Sequence, residues 1–317
     1  MKWKLFVLTL MAATLGLASI AEAAATKMSL ATGGTAGTYF PVGGALAKAA
    51  SKAGKLQVTA ETSNAAIANI RALSTKDIEL ALVQSDTAFW AFNGQNMFKD
   101  NPVKTLRSVM AVYPEDTHLV VTKASGIKKL EDLKGKRVSV GAPASGTEAD
   151  VLALISMIGM TYNDFKPDRL DYASTANRFK DNQIDAGFFV TGWPSAAIMD
   201  IAATKDITLV NFEKDFLEKI QKVHPYFASS VIPKGTYRGI DIDIHCPAVI
   251  AMIATHEGVS EDAVYNFLKG VFDNLPEVHA SHAKAKDITL QGALRSLTAP
   301  MHPGAIKFFK EKGMKVN

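Results

Sequence analysis

Six short segments carry the residue types from which a small-molecule site is built. They are Thr35–Tyr39, Ser63–Asn64 and Gln84–Asp86 in one half, and Ser145–Thr147, Ser174–Asn177 and Thr191–Trp193 in the other. They are rich in Gly, Ser, Thr and Asn, follow apolar runs of strand length, and most open a helical pattern. Free backbone N–H groups and hydroxyls at the positive end of a helix suit an anion, most simply a carboxylate. The candidate ligand-binding residues are Gly37, Thr38, Tyr39, Ser63, Asn64, Gln84, Ser85, Asp86, Ser145, Gly146, Thr147, Thr191 and Trp193. Any one loop also reads as a plain N-cap, where Ser, Thr and Asn are common. Recurrence in both halves favours a site for the set. Gly33, Gly34 and Gly37 exceed what one turn requires and let a backbone approach a ligand closely. Tyr39 and Trp193 suit a core or a ligand wall equally, and Asp86 suits a cap or a partner for a ligand amine.

Catalytic patterns do not accompany these loops. Gly141-Ala-Pro-Ala-Ser-Gly146-Thr147-Glu148 has the glycine spacing of a phosphate-binding loop, but Thr147 and Glu148 stand where Lys and Ser/Thr are required. Thr32–Thr38 with Glu61 invites a dinucleotide reading, yet no G-x-G-x-x-G register fits. The seven histidines form no H-E-x-x-H, and His279 with His282 reads as a surface pair. Ser145 follows Pro143-Ala144, so it does not sit on a nucleophile elbow. Cys246, beside Pro247 and an apolar run, reads as an inert buried thiol. No cofactor, no metal and no catalytic residue is expected, and the chain does not read as an enzyme.

The elements that must position the loops alternate as in an α/β protein. Strands are expected at Met28–Ala31, Gln57–Ala60 and Glu79–Val83, with helices from Pro41 to Ala50 and from Ala65 to Ser74, the latter capped by Ser63 or Asn64. A second βαβαβ unit follows: strands Arg137–Val140, Arg169–Tyr172 and Ala186–Val190, with helices Glu148–Ile158 and one through Phe179. Ala36-Gly37-Thr38 parallels Ser145-Gly146-Thr147, and Ile78-Glu79-Leu80-Ala81 parallels Ile184-Asp185-Ala186-Gly187. Between the units, Val109–Val112 and Leu119–Thr122 read as two strands around Tyr113-Pro114-Glu115. Pro247–Thr255 could return the chain to the first lobe. Helices are expected over Ser260–Asn274, Leu290–Leu297 and Pro303–Lys312. The architecture is two lobes, each a wound, mostly parallel sheet with flanking helices: residues 24–113 with 245–317, and residues 114–244, joined by a hinge.

Composition sets the compartment and excludes partners. The 317 residues carry a formal charge of +4, 48% hydrophobic and 21% charged residues, and one cysteine. That length suits two domains, and the absence of a Lys/Arg block gives nucleic-acid binding little support. Lys2 and Lys4, the apolar run Leu5–Ile20 and Ala21-Glu22-Ala23 form a secretory signal with a small-x-small cleavage site. No cysteine stands there, so no lipid anchor is expected. The mature chain reads as a soluble periplasmic monomer.

Longer motifs sharpen the reading: Thr32-Gly-Gly-Thr-Ala-Gly-Thr-Tyr-Phe-Pro41 with Gly43-Gly44, Thr62-Ser-Asn-Ala-Ala-Ile67, Ile78 to Asp86, Leu133-Lys-Gly-Lys-Arg137 with Ser145-Gly-Thr147, and Val231-Ile-Pro-Lys-Gly-Thr-Tyr237. With these, essentially the whole mature chain resembles the TAXI family, the TRAP-associated extracytoplasmic solute-binding subunits. Ala36 departs mildly, standing where a further glycine is common. The resemblance implies a type II-like, hinged binding protein that closes on a solute and delivers it to an ion-driven TRAP membrane transporter. It associates the site with glutamate, related amino acids and dicarboxylates or 2-oxo acids. It supplies no clamp arginine, although Arg71 and Arg178 lie near the loops in sequence. Asp86, Glu61 and Glu148 beside the loops favour a ligand that also carries an amine. The alternatives are a ligand-binding sensor component and an exported enzyme.

Overall fold

A computed structural model describes residues 24–316; the stretch expected as a secretory signal, residues 1–23, lies outside the described residues. Ten strands form one continuous curled sheet: β1 (Thr26–Ala31), β2 (Leu56–Glu61), β3 (Leu80–Gln84), β4 (Leu106–Thr122), β5 (Arg137–Ser139), β6 (Lys166–Asp168), β7 (Ala186–Thr191), β8 (Ile207–Leu209), β9 (Ala228–Ile232) and β10 (Ile244–His256). The order is β2-β1-β3-β10-β4-β7-β5-β6, with β8 also on β4 and β9 also on β10. β1 runs parallel to β2 and β3, and β5 runs parallel to β6 and β7. β3 (LALVQ) and β7 (AGFFVT) are buried along their whole length, as expected for central strands covered by helices on both faces.

β4 and β10 are long because each belongs to two lobes. They pair antiparallel from Leu106↔His256 to Asp116↔Ala248. Beyond that point β4 pairs with β7 from Asp116↔Thr191, and β10 pairs with β9. The fold is therefore two-lobed, with two strands crossing side by side. Three apolar clusters fill it. One fills the second lobe around Phe179, Phe188, Phe189 and Ile220 and takes in Cys246 and Val249 of the crossing strand β10. The other two cover opposite faces of the first-lobe sheet, around Phe267, Phe308 and Phe309 and around Ile70, Leu73 and Trp90.

The alternating strands and helices of the sequence are present, with three corrections. The two strands expected around Pro114 are one seventeen-residue strand, β4. Proline is tolerated there because Ile250, its partner, sends its N–H away from β4 to Ser85 Oγ at 3.2 Å. No strand pairs β4 at Pro114 on the other side, so the missing N–H breaks no ladder bond. The strand expected at Arg169–Tyr172 lies earlier, at β6. Asp171 instead caps the helix Tyr172–Lys180, its carboxylate accepting the Ser174 N–H at 2.7 Å. The expected helix at Leu290–Leu297 shrinks to a single tight turn, Gly292–Leu294. Gly292 and Ser296 are poor helix residues, and Ser296 takes a positive φ of 49°.

Candidate functional site

A cavity of about 530 Å³ lies between the lobes. Five helices begin at its wall: Tyr39–Ser51, Ala66–Thr75, Ser85–Asn93, Gly146–Ser156 and Tyr172–Lys180. Their N-cap residues, Thr38, Ala65, Gln84, Ser145 and Asp171, all line it. Helix starts carry unpaired N–H groups and about half a positive charge each, so the wall presents positive helix ends without a cationic side chain. No Lys, Arg or His lines it among the described residues.

The two lobes contribute differently. Ser145 accepts the Glu148 N–H at 3.1 Å, and Asp171 caps its helix as described, so both second-lobe ends carry side-chain caps. Thr38, Ala65 and Gln84 provide no such cap to the first-lobe helices. The backbone N–H groups of Gly34, Thr35 and Ala36 likewise have no acceptor among the described residues. Ala65 is held at φ 65°, ψ −152°, a region that side chains rarely enter, with its N–H on Ser63 Oγ at 3.0 Å. Backbone strain of this kind concentrates at binding sites.

Of the residues singled out in sequence, ten meet on the wall: Gly37, Thr38, Tyr39, Ser63, Asn64, Gln84, Ser145, Gly146, Thr147 and Thr191. Many of their polar groups bond to each other. Thr38 and Thr191 hydroxyls are 3.0 Å apart across the lobes, and the Thr147 hydroxyl is 2.7 Å from that of Tyr172. Ser63 bonds Asn69 at 2.6 Å, which in turn holds the Thr32 and Leu82 carbonyls. Three candidates lie off the wall. Ser85 is buried with its hydroxyl on the Ile250 N–H. Asp86 is buried in the first turn of its helix. Trp193 packs against the second-lobe core, its ring 4.4 Å from the Lys284 ammonium. The stretch expected as a fifth loop, Ser174–Asn177, lies inside a helix, and Asp171, Tyr172 and Ala173 reach the cavity instead. Arg71 and Arg178 are exposed and line nothing there.

Sequence reasoning missed Glu115. It sits where β4 crosses between lobes, on the cavity wall and 3% exposed, and accepts the Tyr39 hydroxyl at 2.7 Å. Burial, opposed by that bond and reinforced by Asp86 and Asp116, pushes its carboxyl well above the usual range. The acids counted earlier as amine partners, Asp86, Glu61 and Glu148, are not on the wall. The signal was Tyr113-Pro114-Glu115 itself, an acid in the segment joining two similar units.

Behind the wall, direct contacts join the lobes. Gln84 Nε2 donates to Asp150 Oδ2 at 3.1 Å, and the Ala68 N–H donates to the Ala144 carbonyl at 3.1 Å. Asp86 and Asp150 face one another fully buried, and burial raises both, Asp86 to about 6. A Cβ at Gly146 would stand 1.3 Å from Gln84 Oε1, so a side chain there requires the Gln84 amide to move off its bond to Asp150. Beside the hinge, Lys284 pairs with Asp116 at 3.0 Å, both buried. His118 is also part of the packed interior: burial lowers it to about 4, and its Nε2 lies 3.0 Å from the Tyr237 hydroxyl. Cys246 is buried, which pushes its thiol up.

Two lobes sharing two crossing strands, closed around a cavity walled by helix N-termini, define the two-lobed binding-protein architecture. The chain belongs to the NMT1-like family, whose model matches residues 30–313. Among solved structures it is similar to a Bordetella bronchiseptica RB50 protein, at 14% identity and a TM-score of 0.54 over 91% of this chain and 98% of that one. It is also similar to XAC2383 from Xanthomonas citri bound to ATP, at 10% identity and a TM-score of 0.50 over 90% and 95%. At these identities the likeness is one of fold.

Proposed function

We propose that the protein is an extracytoplasmic solute-binding protein for a small carboxylate. A glutamate-like amino acid stands first, and a C4–C5 dicarboxylate or 2-oxo acid second. The observation that carries this reading is the convergence of five helix N-termini on one cavity between the lobes, three of them without side-chain caps. Backbone N–H groups at helix starts hold carboxylates without a cationic side chain. Its volume lies in the range of small-molecule sites. Residues 24–113 with 245–317 would form one lobe and residues 114–244 the other, closing about β4 and β10. The role is binding rather than catalysis: the one histidine buried beside the hinge is neutral and the one thiol is sealed.

For delivery, the motif resemblance to TAXI subunits supports a TRAP-type membrane transporter as partner. The protein would work as a periplasmic monomer after removal of its leader. No helix among the described residues is long and apolar enough to cross a membrane. Calorimetry on protein refolded free of carried-over solute tests the ligand class, using amino acids, dicarboxylates, an alkanesulfonate and a neutral sugar. Tight binding of the sugar alone would refute it. Solute uptake into vesicles carrying TRAP membrane subunits, with and without the protein, tests the partner.

A further inference from the structure

We infer that Glu115 selects the solute by pairing with an ammonium group on a molecule whose carboxylate lies at the helix ends, so that the site takes an amino acid in preference to a dicarboxylate or 2-oxo acid. This deepens the carboxylate reading above and rests on it.

The argument is one of unmatched polarity. Donors dominate the wall: helix-start N–H groups from both lobes and the free N–H groups of Gly34, Thr35 and Ala36. Against them stands one buried acid. Asp171, the other wall carboxylate, is exposed and occupied by its own helix start. Glu115 Oε2 takes the Tyr39 hydroxyl, while Oε1 has no hydrogen bond among the described residues. No protein cation reaches it from the packed elements. Tyr39 faces it from the first helix, and Tyr113 and Asp116 flank it on its own strand. Tyr172, Asp86 and Asp150 approach from helices of the two lobes. Lys284, the nearest buried ammonium, is committed to Asp116. A buried carboxyl without a counter-charge is costly to a fold and marks a functional position. A zwitterionic ligand supplies what each side lacks, an anion to the N–H groups and a cation to Glu115. Because burial favours the neutral acid before binding, an ammonium ligand drives Glu115 to ionise and release its proton.

Matched ligands separate the two charges. Calorimetry compares L-glutamate with 2-oxoglutarate and glutarate, which keep both carboxylates, and leucine with 4-methyl-2-oxopentanoate, which differ at the same atom. 1-Aminobutane carries the ammonium alone. At least one amino acid should bind about ten-fold or more tighter than its counterpart without nitrogen. Glu115→Gln, which keeps the shape and an acceptor for Tyr39, should erase that preference while changing the counterpart's affinity by about two-fold or less. Repeating the titration in phosphate and in Tris should show a proton released with the amino acid and none with the counterpart. That readout would not move if Glu115 were merely structural. Equal affinity for an amino acid and its counterpart, or a preference that survives Glu115→Gln, overturns the inference and leaves the carboxylate reading standing. Binding of 1-aminobutane as tightly as any amino acid overturns the carboxylate reading, and the inference with it in this form. Binding of none of the panel overturns both. Should Glu115→Gln fail to fold, the wild-type pairs and the two-buffer comparison decide alone.

Discussion

Asp86→Asn should stabilise the ligand-free protein at neutral pH and leave it nearly unchanged in acid. Asp86 and Asp150 belong to helices of opposite lobes and meet in a fully buried position. Burial raises the Asp86 carboxyl from 3.8 to about 6 and raises Asp150 as well. The folded value lies above the unfolded one, so the fold favours the neutral acid. That contribution is fully present below about 3.8 and is lost as pH rises through about 6. Over that window, at about 1.36 kcal/mol per pH unit, the loss is on the order of 3 kcal/mol. Each kcal/mol moves the melting point by roughly 2–4 °C in chains of 150–250 residues, and less in longer ones, so the fall is about 5 °C. An amide at position 86 cannot ionise, keeps the shape of the carboxyl, and retains an oxygen to accept from a protonated Asp150. Melting curves by circular dichroism at pH 3.5 and 7.5 should show the wild type losing those degrees and the variant keeping most of them. Half-buried acids with lowered values, such as Asp132 and Asp185, shift both proteins alike, so the difference between the two curves is diagnostic. Parallel curves would refute the reasoning.

Gly146→Ala places a Cβ on Gln84 Oε1 and should block lobe closure, lowering ligand affinity about ten-fold while each lobe's core melts as before; normal affinity would show that closure tolerates the extra carbon. Ser145→Ala removes the cap on the Glu148 N–H, at about 1 kcal/mol of stability, and also a wall hydroxyl whose proton the cap does not use. A loss of affinity as well, near ten-fold, marks that proton as a ligand donor, whereas loss of stability alone marks a cap. Lys284→Met leaves Asp116 buried without its cation and should cost about 3–5 kcal/mol, most of it recovered when Asp116→Asn is added. An intact mass of exported protein should correspond to a chain beginning near Ala24, and a retained leader would reject the signal reading.

The alternation of strands and helices was legible because apolar runs such as Leu80–Val83 and Ala186–Val190 are covered on both faces, and that leaves an unbroken signal. Errors arose where tertiary pairing overrode local pattern. Pro114 looked like a break because a proline costs a ladder bond only if a partner strand needs it, and no local signal tells that Ile250 turns away. Asp171 looked like the end of a strand because its capping role depends on the Ser174 N–H three residues on. Ser296 defeats the expected last-but-one helix by a positive φ that follows from the turn around it.

The site was legible as a set of loops and illegible as a set of contacts, and the two facts share a cause. Sequence shows which loops follow strands, and the wound topology gathers such loops at one edge, so ten of thirteen candidates reach the wall. It does not show what each side chain bonds once both lobes are present. Thr38 and Thr191 look like ligand hydroxyls until the lobes meet and each answers the other at 3.0 Å. Asp86 looks like the acid nearest the site until the helix it begins turns it away into a buried pair with Asp150. Glu115 was passed over because the sequence puts it in a connector around Pro114 rather than in a loop that opens a helix; in the structure it lies within β4. Its position matters only because β4 belongs to both lobes: of the two strands that cross between them, β4 is the one that puts an acid on the cavity wall. In a two-lobed fold, then, the crossing strands need to be read for charge with the same care as the strand-to-helix loops.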